Sequence, residues 1–276
     1  LSIVGPLRVT GVSQTESRRT IFTCRSTAVH EDLPCAQEIV GRLATHAFRR
    51  PVRVRELDSL MRFYAEGRRE RDFEWGIGSA LEAILASPQF LFRIEAIPDT
   101  VEPGDTFRVG NFELASRLSF FLWGSGPDPE LRSLAAASEL SEPEVLTRQV
   151  TRMLADQRSE ALARRFAAQW LRLSDVDDIL PDAILYPYYD RSLGEAFVRE
   201  TELFFDSLVR DDRPVLDLLT ADYTFVNERL ARHYGILGVV GESFRRVQYP
   251  DARRRGLLGQ GSVQLLTSMG NRTSPV

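Results

Sequence analysis

The sequence predicts a mainly α fold: two stacked helical units with a short N-terminal β remnant. Three observations predict it. From Pro34 onward, apolar residues recur three and four positions apart, the period of a helix with one buried face. Helix starts and stops punctuate that pattern, with Asp72 and Asp128 placed as N-caps and Pro51 and Ser87-Pro88 placed as breakers. Alternation with a period of two occurs mainly at the front, in "LSIVGPLRVTGV" around Gly5-Pro6, and so short a β segment cannot stand alone.

The elements follow in order. "PCAQEIVGRLATHAFRR" puts Ala36, Ile39, Val40, Leu43 and Ala47 on one stripe. "RELDSLMRFYAEG" does the same with Leu57, Leu60, Met61 and Tyr64, and "DFEWGIGSALEAILASP" with Ile77, Leu81, Ile84 and Leu85. "QFLFRIEA" is a short apolar run expected to be buried. "IPDTVEPGDTFRVG", rich in Pro, Gly and Asp, reads as a linker. A second helical series follows. Leu114, Leu118, Phe121 and Leu122 are expected inward, and Asp128 with Pro129 starts the next helix. Ser141 and Glu144 match a capping box. Leu162, Phe166 and Trp170 point one way, and Leu193, Phe197, Phe204 and Leu208 point inward. The expected organisation is the end of a β module with a cysteine loop over 1–33, a first helical unit over 34–98, a second over 99–240, and a further Gly-rich segment over 241–276. The ending "TSPV" carries no cap and no charged tail, and reads as the interior of a longer chain.

Composition narrows the function classes. An apolar fraction of 43% and a charged fraction of 27% are those of an ordinary globular chain. Net charge is −4 with acids and bases interspersed, so no nucleic-acid partner is expected. No apolar run approaches the roughly 20 residues of a membrane span. The first twenty residues show no charged start followed by an apolar run. All 35 basic residues are arginine, which rules out a Schiff-base or P-loop lysine. Cys24 and Cys35 are the only cysteines, spaced too widely for a C-x-x-C clasp. From the residues alone, a disulfide and two unrelated buried thiols remain alternatives.

Several stretches together carry a resemblance: "SRRTIFTCR", "CAQEIVGRLATHAFRRPV", "SALEAILASPQFLFRIE", "ELASRLSFFLWGSGPDPELRSLA", "DYTFVNERLARHYGI" and "RRGLLGQGSVQLLTSMGNRTSPV". In order and spacing the chain resembles, from about Ser17 on, the large secreted proteins described as planctomycete cytochrome c-like, which are built of consecutive domains of unknown function. The resemblance implies export to the periplasm or cell surface, and with it a Cys24–Cys35 disulfide. It also implies neighbouring domains in a longer chain, among them a c-type haem domain and in some members a carbohydrate-binding β module. This sequence has no C-x-x-C-H, so no haem attaches here and no cofactor is expected in this segment.

Candidate chemistry is thin. In "ADYTFVNERLARHYGI" a short helix is expected, capped by Asp222 or Thr224 and stopped by Gly235. His233 would sit in its last turn, where the dipole favours a cation. The alternative is a haem-facing, metal or acid–base role for His233, with Arg229, Asp222 and Tyr223 near it. Glu200 and Glu202 lie on different helix faces. Asp175, Asp177 and Asp178 form an acidic turn with a weak resemblance to a calcium loop, but lack its central Gly and final Glu. Ser262 does not sit in G-x-S-x-G. Gly256, Gly259 and Gly261 are spaced for tight turns or close packing and not for a dinucleotide. Arg272, Thr273 and Ser274 could donate to an anion or a sugar hydroxyl. Without a complete catalytic constellation, the expected role is a non-catalytic scaffold or interaction segment. The alternative is one wall of a haem-dependent oxidoreductase acting on polysaccharide or another extracellular substrate, and whether the full protein is an enzyme stays open.

Overall fold

The computed structural model describes residues 14–24, 31–95, 97–98, 101–102 and 104–269. The strands expected within residues 1–13, and Arg272, Thr273 and Ser274, lie outside the described residues. The fold is mainly helical, with one two-stranded sheet among the described residues. Two compact units divide the chain: Leu1–Ser116 with Gly126–Leu140, and Arg117–Ser125 with Ser141–Val276. No described helix is long and apolar enough to cross a membrane.

In the first unit, α1 (Glu16–Ile21) leads into α2 (Asp32–Ala47), α3 (Val54–Glu70), α4 (Phe73–Ala86) and the single turn α5 (Pro88–Leu91). Asp72 caps α4 as its position demands, accepting from Trp75 N at 2.9 Å. The core takes Ala36, Ile39 and Val40 from α2, Leu60 and Tyr64 from α3, and Ile77, Ala80 and Ile84 from α4. Leu85, expected on the inner stripe, is exposed instead, because the stripe of α4 is narrow and ends at Ile84.

The run "QFLFRIEA" is a correction. Leu91, Phe92 and Ile94 are each about 60% exposed. Backbone, not side chains, anchors this segment. The Arg49 guanidinium donates to the carbonyls of Gln89 at 2.7 Å, Phe92 at 2.8 Å, Ala47 at 3.1 Å and Phe90 at 3.3 Å. Satisfying those carbonyls fixes the turn and leaves its apolar side chains outside.

Cys24 and Cys35 are joined in a disulfide, with Cα atoms 5.9 Å apart, and no free cysteine remains among the described residues. It ties the segment after α1 to the first turn of α2. Reduction, or Cys24→Ser with Cys35→Ser, is expected to lower stability by about 3 kcal/mol, the loop-entropy value for a loop of this size. Urea unfolding with and without reductant checks this; coincident curves would refute it.

The next elements are α6 (Asn111–Leu122), α7 (Pro129–Ala136) and α8 (Pro143–Ala155). Asp128 caps α7, accepting from Leu131 N at 2.9 Å with Pro129 at the first helical position. The capping box expected on Ser141 and Glu144 is displaced: Pro143 takes the first helical position, which makes Glu142 the N-cap. Phe121, expected inward from α6, is 59% exposed. Its ring meets Phe166 at 6.4 Å, and Phe166 stacks on Trp170 at 6.1 Å. Leu162 is buried but Phe166 and Trp170 are half-exposed. The reason is a change of helical phase. α9 (Glu160–Leu162) passes through a π turn at Ala163–Ala167 before α10 (Ala168–Trp170), and the wider turn rotates later side chains off the α-helical stripe.

The second unit is organised on α11 (Arg191–Arg210), which buries Leu193, Phe197, Phe204 and Leu208 as expected. After α12 (Asp217–Thr220) comes a second correction. "ADYTFVNERLARHYGI" is not one helix but strand β1 (Tyr223–Val226) followed by α13 (Glu228–Tyr234). Asn227 is the cap, accepting from Leu230 N at 2.9 Å, so neither Asp222 nor Thr224 has that role. Gly235 stops the helix at φ +70°. The β-branched and aromatic run Tyr-Thr-Phe-Val pairs antiparallel with β2 (Arg245–Gln248), Tyr223 opposite Gln248 and Val226 opposite Arg245. A short α14 (Gly261–Thr267) closes the unit. A Cβ at Gly261 would collide with the Phe197 ring, so the glycine is needed for α14 to approach α11.

Candidate functional site

The position of Glu200 on α11 defines the site. It falls on the same stripe as Leu193, Phe197 and Phe204, and it is fully buried. A buried carboxyl requires hydrogen-bond partners. Thr224 of β1 donates to Oε1 at 2.5 Å, and the Tyr234 hydroxyl of α13 donates to Oε2 at 2.5 Å. Tyr249, just after β2, reaches Oε1 at 3.4 Å. Tyr234 in turn accepts from the Gly261 N–H at 2.7 Å. At the next residue of α11, the Thr201 hydroxyl meets Gln260 Oε1 at 2.7 Å and Ser262 Oγ at 2.6 Å. Four separate elements thus meet α11 through buried polar contacts.

Burial pushes the Glu200 carboxyl up to about 7, against the Thr224 and Tyr234 hydrogen bonds that favour the anion. Burial and Glu200 together push the Tyr234 hydroxyl well above its usual range. Tyr249 is raised for the same two reasons.

Above this cluster a cleft of about 1070 Å³ opens within the second unit. Tyr188, Tyr189, Phe197, His233, Tyr234 and Tyr249 supply aromatic surface, and Arg254 contributes a guanidinium. His233 is half-buried, edge-on to Phe197 at 5.2 Å between ring centroids and 5.8 Å from Tyr188. Burial, then Arg254 and Arg229, lower its pKa to about 4. The cation expected from its place in the last turn of a helix is therefore absent at neutral pH; desolvation and two nearby guanidiniums outweigh the dipole.

The structure keeps Arg229 near His233 but does not bring Asp222 and Tyr223 to them. Arg229 turns to Asp190 at 3.1 Å and to the Tyr188 carbonyl, bracing the wall of the cleft. Asp222 is exposed, and its carbonyl accepts from Tyr249 N at 2.8 Å. Tyr223 is buried beside Phe204, with Arg246 over its ring at 3.6 Å and its hydroxyl at 3.2 Å from Ser207. Asp175 pairs with Arg172, and among the described residues no three His, Cys, Asp or Glu side chains gather as metal ligands, so Asp175, Asp177 and Asp178 do not converge. Ser262 is fully buried and bonded to Thr201. Glu202 lies on the other face from Glu200, paired with Arg199 at 2.9 Å. Since both cysteines are held in the disulfide, no thiol is left for a haem thioether, and the residues do not fit covalent haem. Sequence reasoning missed Glu200, Tyr249 and Arg254. Only Glu200 carried a signal, an acid standing on an apolar stripe.

The class of protein this defines is a helical, disulfide-bearing chain whose second unit presents an aromatic cleft over a buried carboxyl. Residues 109–236 match the family model PSD4, a protein of unknown function (DUF1592), and residues 35–95 match PSD5, a protein of unknown function (DUF1595). The chain is thus similar to two consecutive domains of unknown function, in agreement with the sequence resemblance at that level. No curated protein and no solved structure matches it.

Glu200 and His233 have opposite effects on stability as pH changes. Between about 4.5 and 7 the folded protein holds a proton on Glu200 that the unfolded chain has released, so this group makes stability fall as pH rises. Between about 4 and 6.5 the unfolded chain holds a proton on His233 that the folded protein rejects, so that group makes stability rise with pH. In the wild type the two slopes offset each other through their shared range. His233→Phe is expected to expose the Glu200 slope, a loss on the order of 3 kcal/mol from pH 4.5 to 7. Glu200→Gln is expected to expose the opposite slope. Urea midpoints at several pH values check both; variants that parallel the wild type contradict the assignment. Glu200→Leu, which strands the Thr224 and Tyr234 hydroxyls, is expected to cost roughly 2–4 kcal/mol near pH 4.5, and less as pH rises toward 7.

Proposed function

We propose that this chain is a non-catalytic scaffold and binding segment of an exported multidomain protein that also carries a c-type cytochrome domain. The observation that carries the reading is the state of the ionisable groups around the cleft. Glu200, the carboxyl whose pKa best suits proton transfer near neutrality, is sealed in the fold and bonded to hydroxyls of that fold. Asp182 accepts from the backbone amides of Ile184 and Leu185, and Asp251 is paired with Arg253 at 2.6 Å. His233, with a pKa of about 4, is a weak proton acceptor at neutral pH. Acid–base catalysis would require an acid and a base facing one substrate, and the cleft offers rings and a guanidinium instead.

Export to the periplasm or cell surface is supported by the Cys24–Cys35 bond, since disulfides persist in oxidising compartments. The partners in this reading are neighbouring domains of the same chain, a c-type cytochrome domain among them, and carbohydrate.

One observation favours a second reading, a haem-dependent oxidoreductase acting on polysaccharide: His233 opens into the cleft beside Tyr234 and Arg254. The full-length protein separates the two. His233→Ala is expected to leave haem absorption and reduction potential unchanged. A moved Soret band or potential would establish the second reading in place of the first.

A further inference from the structure

Several surface arginines of the second unit are engaged by acids. Arg199 pairs with Glu160 and Glu202, Arg210 with Asp206, Arg213 with Asp217, and Arg229 with Asp190. Arg254 differs. It lines the cleft and is partly buried, yet no described carboxylate lies within ion-pair range of it. Its Nη1 donates to the Gly259 carbonyl at 3.1 Å, and its guanidinium carbon sits 4.3 Å from the centre of the Tyr234 ring. Those two contacts hold the group in place without neutralising it. Of the cleft acids, Asp251 is paired with Arg253 and acts on Arg254 only at longer range, and Asp182 accepts from backbone amides. A positioned, partly desolvated guanidinium with donors to spare is what recognises a planar carboxylate.

Around it the cleft is flat-sided. Tyr188, Phe197 and His233 present rings, and the volume of about 1070 Å³ accommodates a small organic molecule. With its ring neutral, His233 adds a face and no competing charge.

We propose that the cleft of the second unit binds a small organic carboxylate on a ring-shaped body, the carboxylate on Arg254 and the ring against Tyr188, Phe197 and His233. This inference rests on the cleft being a binding site and names the chemistry of its ligand. The shared chemistry, a carboxylate on a ring with a face to stack, fits an aromatic acid and a sugar acid alike. Two probe pairs tell these apart: phenylacetate with phenylacetamide, and glucuronate with glucose.

The test is titration of the whole protein by calorimetry and by amide chemical shifts. One carboxylate is expected to bind and to move resonances of cleft residues, with its neutral counterpart weaker by about tenfold or more. Arg254→Gln should reduce carboxylate affinity by a similar factor, while Arg254→Lys retains part of it. Arg213→Gln, a surface ion-pair control, should change nothing. Circular dichroism and the unfolding midpoint confirm that each variant is folded. Equal binding of acid and neutral counterpart, or undiminished binding by folded Arg254→Gln, overturns the carboxylate assignment and leaves the cleft as a binding site. If none of the four probes binds at about 10 mM, the weak limit of a specific site, the carboxylate assignment and the binding role fall together. Turnover of a bound probe would instead retain the ligand class and overturn the non-catalytic reading.

Discussion

A fully buried carboxyl cannot stay unpartnered, and much of the second unit is arranged to meet that demand. Glu200 draws β1 in through Thr224 and α13 in through Tyr234, with Tyr249 approaching from the end of β2. Tyr234 then takes the N–H of Gly261 and sets the first residue of α14. Each of these segments is short: four residues in β1, seven in α13 and seven in α14. None is long enough to be stable alone. A shared acceptor on a long, well-packed helix gives them a common reference, and a broken contact leaves a polar group stranded in the interior.

The same arrangement shapes the cleft. Tyr234 points its hydroxyl down to Glu200 and its ring toward Arg254, so one side chain links the buried cluster to the wall above. Phe197 packs against His233 on one side and leaves room only for glycine at position 261 on the other. His233 is thereby placed among rings and near two guanidiniums, which keeps it uncharged. The electrostatic character of the cleft follows from packing: a histidine that would titrate near neutrality in water becomes an aromatic surface, and an arginine is held by a carbonyl and a ring with no ion pair to a described carboxylate.

The first unit works more simply. Three helices cover one apolar core, and the disulfide anchors what precedes them. Its one unusual device is Arg49, whose guanidinium gathers backbone carbonyls from the turn that follows α4. This is why the run of Phe90, Leu91, Phe92 and Ile94 fails as a sequence signal for burial. Apolar composition marks what could be buried, but here the backbone is held and the side chains are left out.

Legibility followed the range of the interaction. Helix periodicity, the Asp72 and Asp128 caps and the Gly235 stop arise within one or two turns of chain, and reading adjacent residues was enough. The error over Tyr223–Val226 arose because a four-residue strand is stabilised by a partner strand beginning at Arg245, not by its own period. Phe166 and Trp170 share a side but leave that of Leu162, because one π turn shifts the phase of everything after it. Glu200 was visible only as an acid on the wrong stripe. By itself the sequence determined a mainly helical chain, its major core stripes and the lack of a C-x-x-C-H motif, because those depend on local period and residue identity. The tertiary structure alone decided that Glu200 is buried and held near neutrality, that His233 is uncharged, and that Arg254 has no described carboxylate in ion-pair contact. Those properties are set by desolvation and by residues far apart in the chain, and neither has a local signature.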